Sequence, residues 1–104
     1  MPGIGDIMKQ AQKMKAEMER IQAEAAVKTV EGSAGGGMVT VVANGKGEIL
    51  AVRNDPEVAR GEDLEMLQDL VTAAANDALR KAREVLTQEV SRLAGGLGLP
   101  PGLL

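Results

Sequence analysis

The stretch from Asp63 to Leu93 most constrains what this chain can become. Leu64, Leu67, Val71, Ala74, Ala78, Ala82 and Val85 recur there at helical spacing, uninterrupted by Gly or Pro. Asp63 is placed to cap the start of such a helix, and Gly95-Gly96 to stop it. About 30 residues at ~1.5 Å each make a rod of roughly 45 Å. A compact domain of this size has a radius of gyration of only about 13 Å, so the rod must protrude or pack against a partner subunit.

A second amphipathic helix is predicted to begin at Asp6, whose carboxylate can cap the first turn. Ile7, Ala11, Met14, Met18, Ile21 and Ala25 follow at alternating spacings of four and three, a heptad seam. Lys9, Lys13 and Arg20 share the opposite face with Glu17 and Glu24, a pattern that a solvated face with i,i+4 ion pairs explains equally well.

Between the helices the period changes to that of strands. β-Branched residues begin at Val27, and Gly32-Ser33-Ala34-Gly35-Gly36-Gly37 interrupts them as a flexible turn. Met38 to Ala43 reads as a second strand, Asn44-Gly45-Lys46-Gly47 as a hairpin, and Glu48 to Arg53 as a third strand. Asp55-Pro56 then starts a short helical turn that Gly61 ends. The expected fold is α+β, in the order long helix, three-stranded antiparallel sheet, short helical turn, long helix. Residues 1–104 form one domain on this reading, with an irregular Pro/Gly tail from about 95 to 104 in which Leu99 and Leu103 are available to dock. Two long helices and three strands expose more apolar surface than a monomer of this size covers, so a homodimer is expected.

Composition then removes most chemistry. The chain has no Cys and no His, which excludes disulfides and the usual zinc, iron and copper ligand sets, and no aspartate-rich calcium loop occurs. No metal and no cofactor are expected. The glycine-rich stretch lacks the Lys and Ser/Thr of a phosphate loop and leads into a strand rather than a helix, so it is read as a turn. Without His or Cys no activated nucleophile can be assembled around Ser33 or Ser91, so neither an enzyme nor a small-molecule substrate is expected. No signal segment and no run of roughly 18 apolar residues occurs, which predicts a cytoplasmic protein without a membrane partner. The formal charge of −3 means that any nucleic-acid site must come from locally concentrated bases.

Surfaces are what remain. On the long C-terminal helix Asn76, Arg80, Arg83, Thr87 and Ser91 fall near one line, opposite the Val71, Ala78 and Ala82 stripe. This face could meet a duplex backbone, or simply water. No aromatic residue is present to stack on single-stranded bases.

Several motifs in order resemble one family. Met8-Lys9-Gln10-Ala11-Gln12-Lys13-Met14 is similar to the opening of the YbaB/EbfC nucleoid-associated proteins, as is Gly32-Ser33-Ala34-Gly35-Gly36-Gly37-Met38-Val39 followed by Asn44-Gly45. Glu65 to Val71, Ala73-Ala74 and Asn76-Asp77-Ala78 resemble the family's C-terminal helix, and Leu99-Pro100-Pro101-Gly102 its tail. The resemblance implies a dimeric α+β fold whose long helices project to straddle double-stranded DNA, with a role in nucleoid organisation or gene regulation. The candidate DNA-binding residues are Lys9, Lys13, Arg20, Asn76, Arg80 and Arg83. The candidate dimer interface comprises Ile7, Met14, Met18, Ile21, Val71, Ala74 and Ala78. The alternative function is a protein-interaction adaptor whose heptad seam engages a partner helix, with little DNA binding.

Overall fold

A computed structural model describes residues 3–96 and Gly98. Helix α1 (Ile4–Val27) leads into strands β1 (Thr29–Ala34), β2 (Val39–Asn44) and β3 (Ile49–Asn54), then α2 (Pro56–Arg60) and α3 (Leu64–Gly96). The strands form one antiparallel sheet in the order β1-β2-β3, as the sequence predicts. The Cα radius of gyration is 19.4 Å and the long dimension 69 Å, so the helices do protrude.

Local chemistry explains most boundaries. Asp55 accepts from the Glu57 N–H with Pro56 in the first turn of α2, and Asp63 Oδ1 accepts from the Met66 N–H at the start of α3. In the β2–β3 hairpin the Asn44 side-chain oxygen accepts from the Lys46 and Glu48 N–H groups, and its amide donates to Glu48. The Gly45 N–H donates to the Ala25 and Lys28 carbonyls, which ties the hairpin to the end of α1.

Four expectations are corrected. Helix α1 starts before Asp6, because the Gly3 carbonyl accepts from the Asp6 and Ile7 N–H groups; Asp6 sits inside the first turn and no side chain caps it. Val27 belongs to α1, since the alanine-rich turn before it carries the helix on to an extended Lys28. Strand β1 runs through Gly32 to Ala34, so only Gly35, Gly36 and Gly37, all with positive φ, make the turn. Gly95 and Gly96 lie within α3 rather than in the tail, and the docking expectation for Leu99 and Leu103 lies outside the described residues.

Gly32 stays in the strand because of what covers it. A methyl group there would run into the backbone nitrogen of Ala78 and the carbonyl oxygen of Ala74. Strand and helix therefore meet backbone to backbone, with Ala74 and Ala78 fully buried on the helix side. Val39, Val41 and Ala43 of β2 complete this core, and Val30, Ala34, Leu67, Leu70 and Val71 pack around it. Side chains flanking Gly32 lock the contact: Asp77 accepts from the Ser33 N–H at 3.1 Å, and Lys81 donates to the Glu31 carbonyl at 2.9 Å.

Overpacking at a site with backbone on the far side cannot be relieved by a rotamer change. Gly32→Ala is expected to cost about 2–3 kcal/mol. Gly95→Ala, in a helical position with open space around it, should instead add roughly 0.5–1 kcal/mol. Urea unfolding of the two variants should move the midpoint in opposite directions.

Candidate nucleic-acid interface

The seam of α1 faces its own chain. Ile21 and Ala25 are each 1% exposed, and Lys28 at the end of α1 pairs with Glu89 of α3 at 3.1 Å. Ile7, Ala11 and Met14 line a groove of about 660 Å³ whose other wall includes Leu93 and Gly96 of α3, so the two helices run antiparallel. Of the expected dimer-interface residues, Ile21, Ala74 and Ala78 are therefore corrected, because the protomer buries them itself. Val71 packs on the sheet core and Met18 is half-buried. A heptad seam reports that a helix has an apolar neighbour, not whether that neighbour belongs to the same chain.

A different apolar surface is left uncovered at the base. Ile49, Leu50 and Val52 of β3 are 47%, 55% and 47% exposed, and Leu64 and Met66 at the start of α3 are also open. Helix α3 lies over β1 and β2, and β3 extends beyond it. The signal available in the sequence was Ile49-Leu50-Ala51-Val52, apolar on both strand faces.

The basic candidates divide by their carboxylate neighbours. Arg20 is held by Glu17 at 2.8 Å and Glu24 at 2.9 Å, and Arg80 by Asp77 and Glu84, both at 2.8 Å. These pairs raise both guanidinium pKa values further, so the arginines remain charged while their donors are occupied. Lys9, Lys13 and Arg83 are exposed, and among the described residues no carboxylate lies within ion-pair distance of them. Lys15, which the sequence reading did not select, shares that state. Asn76 is exposed on α3.

Two carboxylates are tuned by the same contacts. The Arg80 guanidinium, followed by the Ser33 N–H, holds Asp77 below its ordinary value of 3.8. Lys28 holds Glu89 below 4.5, with the nearby Arg92 and Arg20 charges assisting. Among the described residues no group of three or more Asp and Glu could hold a metal ion, and no helix is long and apolar enough to cross a membrane.

Such a molecule is a surface-acting α+β scaffold, a helical hairpin raised on a small sheet. Its family is evident from comparison. A profile described as the YbaB/EbfC DNA-binding family matches residues 1–97, and the chain belongs to that family. It is 56% identical to a nucleoid-associated protein of Acetivibrio thermocellus, over 98% of this chain and 94% of that protein. It is 53% identical to a nucleoid-associated protein of Syntrophobacter fumaroxidans, over 92% and 91%. The crystal structure of an uncharacterized Helicobacter pylori protein superposes with a TM-score of 0.76 at 25% identity, covering 93% of this chain and 98% of that one. These family and relative names are those of DNA-binding and nucleoid-associated proteins, not enzymes.

Because folding lowers the pKa of Asp77 and Glu89, their contribution to stability is fully present above the ordinary carboxylate range. It is lost as pH falls below 4.5 and 3.8 and through the depressed folded-state values. Asp77→Asn and Glu89→Gln should therefore flatten the acid limb of a stability–pH profile recorded by thermal unfolding, leaving the limb above pH ~6 parallel to that of the parent.

Proposed function

We propose that the protein binds double-stranded DNA in the bacterial nucleoid as a homodimer, mainly through phosphate contacts from the protruding part of α1. Family membership supports the DNA partner. The observation that carries the site is that Lys9 and Lys13 on one side of the exposed half of α1, and Lys15 on the other, have no carboxylate in ion-pair range among the described residues. Unpaired ammonium groups exchange counterions for phosphates without first breaking an internal salt bridge. Arg83 is a separate exposed cation nearer the sheet end of α3, and Arg20 and Arg80 must give up two carboxylates each to take part. Asn76 adds a neutral donor on the α3 face.

Duplex titrations at several salt concentrations test this reading. Lys9→Ala and Lys13→Ala should each lower the salt slope by about 0.9, or twice that when both subunits engage, with equal losses on unrelated sequences. Arg20→Ala and Arg80→Ala should do less, and Lys46→Ala, at the hairpin far from α1's free end, should do least. Equal losses at Lys46 would make the attraction general and remove the helical site.

The homodimer is proposed to form through the uncovered base, where β3 and the start of α3 expose Ile49, Leu50, Val52, Leu64 and Met66. Among the described residues these five large apolar side chains are all exposed, as expected of an interaction surface. Leu50→Glu should convert a particle of about twice the chain mass of 10.8 kDa into a monomer in sedimentation runs, with far-UV dichroism retained. A dimer unaffected by Leu50→Glu would move the interface elsewhere.

A second reading keeps the fold but replaces the DNA with a protein helix. The exposed Ile4, Ile7 and Met8 at the free end of α1 favour it. Loss of no DNA affinity in any of the lysine variants would give it precedence.

A further inference from the structure

Arg20 and Arg80 are both bracketed by carboxylates, but the two brackets are built differently. Glu17 and Glu24 lie with Arg20 on α1, and among the described residues neither has another ion-pair partner. The partners of Arg80 are unequal. Asp77 Oδ1 accepts from the guanidinium at 2.8 Å, while its Oδ2 accepts from the Ser33 N–H at 3.1 Å and lies 3.4 Å from the Lys81 ammonium. Glu84 accepts from Arg80 Nη1 at 2.8 Å and, among the described residues, has no second cation in ion-pair range. Its side chain is 58% exposed, against 27% for Asp77.

That inequality decides where resistance to a competing anion lies. When a phosphate takes the Arg80 guanidinium, Asp77 keeps a backbone donor and an ammonium and stays neutralised. Glu84 has no such second partner, so it is left as an unpaired anion one turn from the phosphate. The ion pair itself is the smaller obstacle, because exposed i,i+4 pairs are weak and screened by salt. The larger obstacle is the carboxylate that stays behind.

The surrounding face suits such a phosphate. Arg80 is exposed on the side of α3 opposite the buried Ala74, Ala78 and Ala82. Arg83 shares that side, is exposed, and has no carboxylate in ion-pair range among the described residues. Residues three apart on a helix stand about 5–6 Å apart at Cβ, close enough for the two guanidinium groups to meet one anionic strand.

We propose that Glu84 is an electrostatic brake on DNA binding, withholding Arg80 from a phosphate site that it forms with Arg83 on α3, apart from the lysines of α1. The proposal rests on the DNA reading above and adds a residue that sets the strength of binding. Neutralising Glu84 leaves Asp77 as the single carboxylate on Arg80 and frees Nη1.

Duplex titrations at several salt concentrations test this with the parent, Glu84→Gln, Arg80→Ala and the double variant. The substitutions lie on the exposed side of α3, so all four proteins should give the same far-UV dichroism. Glu84→Gln should tighten binding at low salt by about tenfold and steepen the salt slope by about 0.9 per engaged subunit, because one more counterion is released. In the Arg80→Ala background the same substitution should tighten binding by about threefold at most, the share owed to the lost charge alone, with the slope unchanged. Equal gains in the two backgrounds would make Glu84 a general repulsive charge and overturn the proposal. A Glu84→Gln protein that binds as the parent does would overturn it too. In either case a parent that binds duplex leaves the DNA reading standing, whereas a parent with no affinity for duplex removes both.

Discussion

Strand β1 and helix α3 touch through their backbones at Gly32, and the rest of the architecture is arranged around that contact. The approach is possible only because the helix presents Ala74 and Ala78 and the strand presents no side chain at all. A core built this thin has no room for aromatic rings, which accords with a sequence that contains none. The same closeness brings α3 side chains within reach of the strand's outward-facing peptide groups. Asp77 and Lys81 take the Ser33 N–H and the Glu31 carbonyl on either side of the glycine. Once α3 is fixed there, its length carries the remaining turns beyond the sheet, where they meet α1.

Electrostatics then decide which part of the surface is available. In a chain of net charge −3, selection works by pairing rather than by the number of basic residues. Arg20, Lys28, Arg80, Lys81 and Arg92 each have a carboxylate at 3.4 Å or less. The first turns of α1 keep their lysines unpaired. A net charge of −3 coexists with unpaired lysines on α1 because the carboxylates on the inner parts of the two helices pair with Arg20, Lys28 and Arg80 instead. The carboxylates that neutralise Arg80 and Lys28 also tie α3 to β1 and to α1, so the same groups that hold the fold define where the positive potential emerges.

Several features set by near neighbours in sequence were legible in advance. Asp55-Pro56 and Asp63 cap the helices that their side chains can reach, and Asn44-Gly45 makes the hairpin its local hydrogen bonds favour. The bracketing of Arg20 by Glu17 and Glu24, and of Arg80 by Asp77 and Glu84, stands at helical spacings in the sequence, although only coordinates show the bonds closed. Features set by a distant partner were not legible. Gly32 looks like part of a glycine turn until a helix is placed on it, and Ile21, Ala74 and Ala78 look equally ready for another subunit until the chain's own elements cover them. The exposure of Leu50 and Val52 follows from where α3 stops covering the sheet, a distance that no local pattern encodes.

The side chains that clasp β1 have an effect on how the sheet can grow. A three-stranded sheet has two margins, and the backbone groups along each are an invitation to another strand. Asp77 and Lys81 answer that invitation on the β1 margin, at Ser33 and Glu31, from within the molecule. Among the described residues the β3 margin has no such hydrogen bond from an α3 side chain, and α3 lies chiefly over β1 and β2. A sheet whose β1 margin is already engaged from within offers its backbone groups more readily along β3 than along β1.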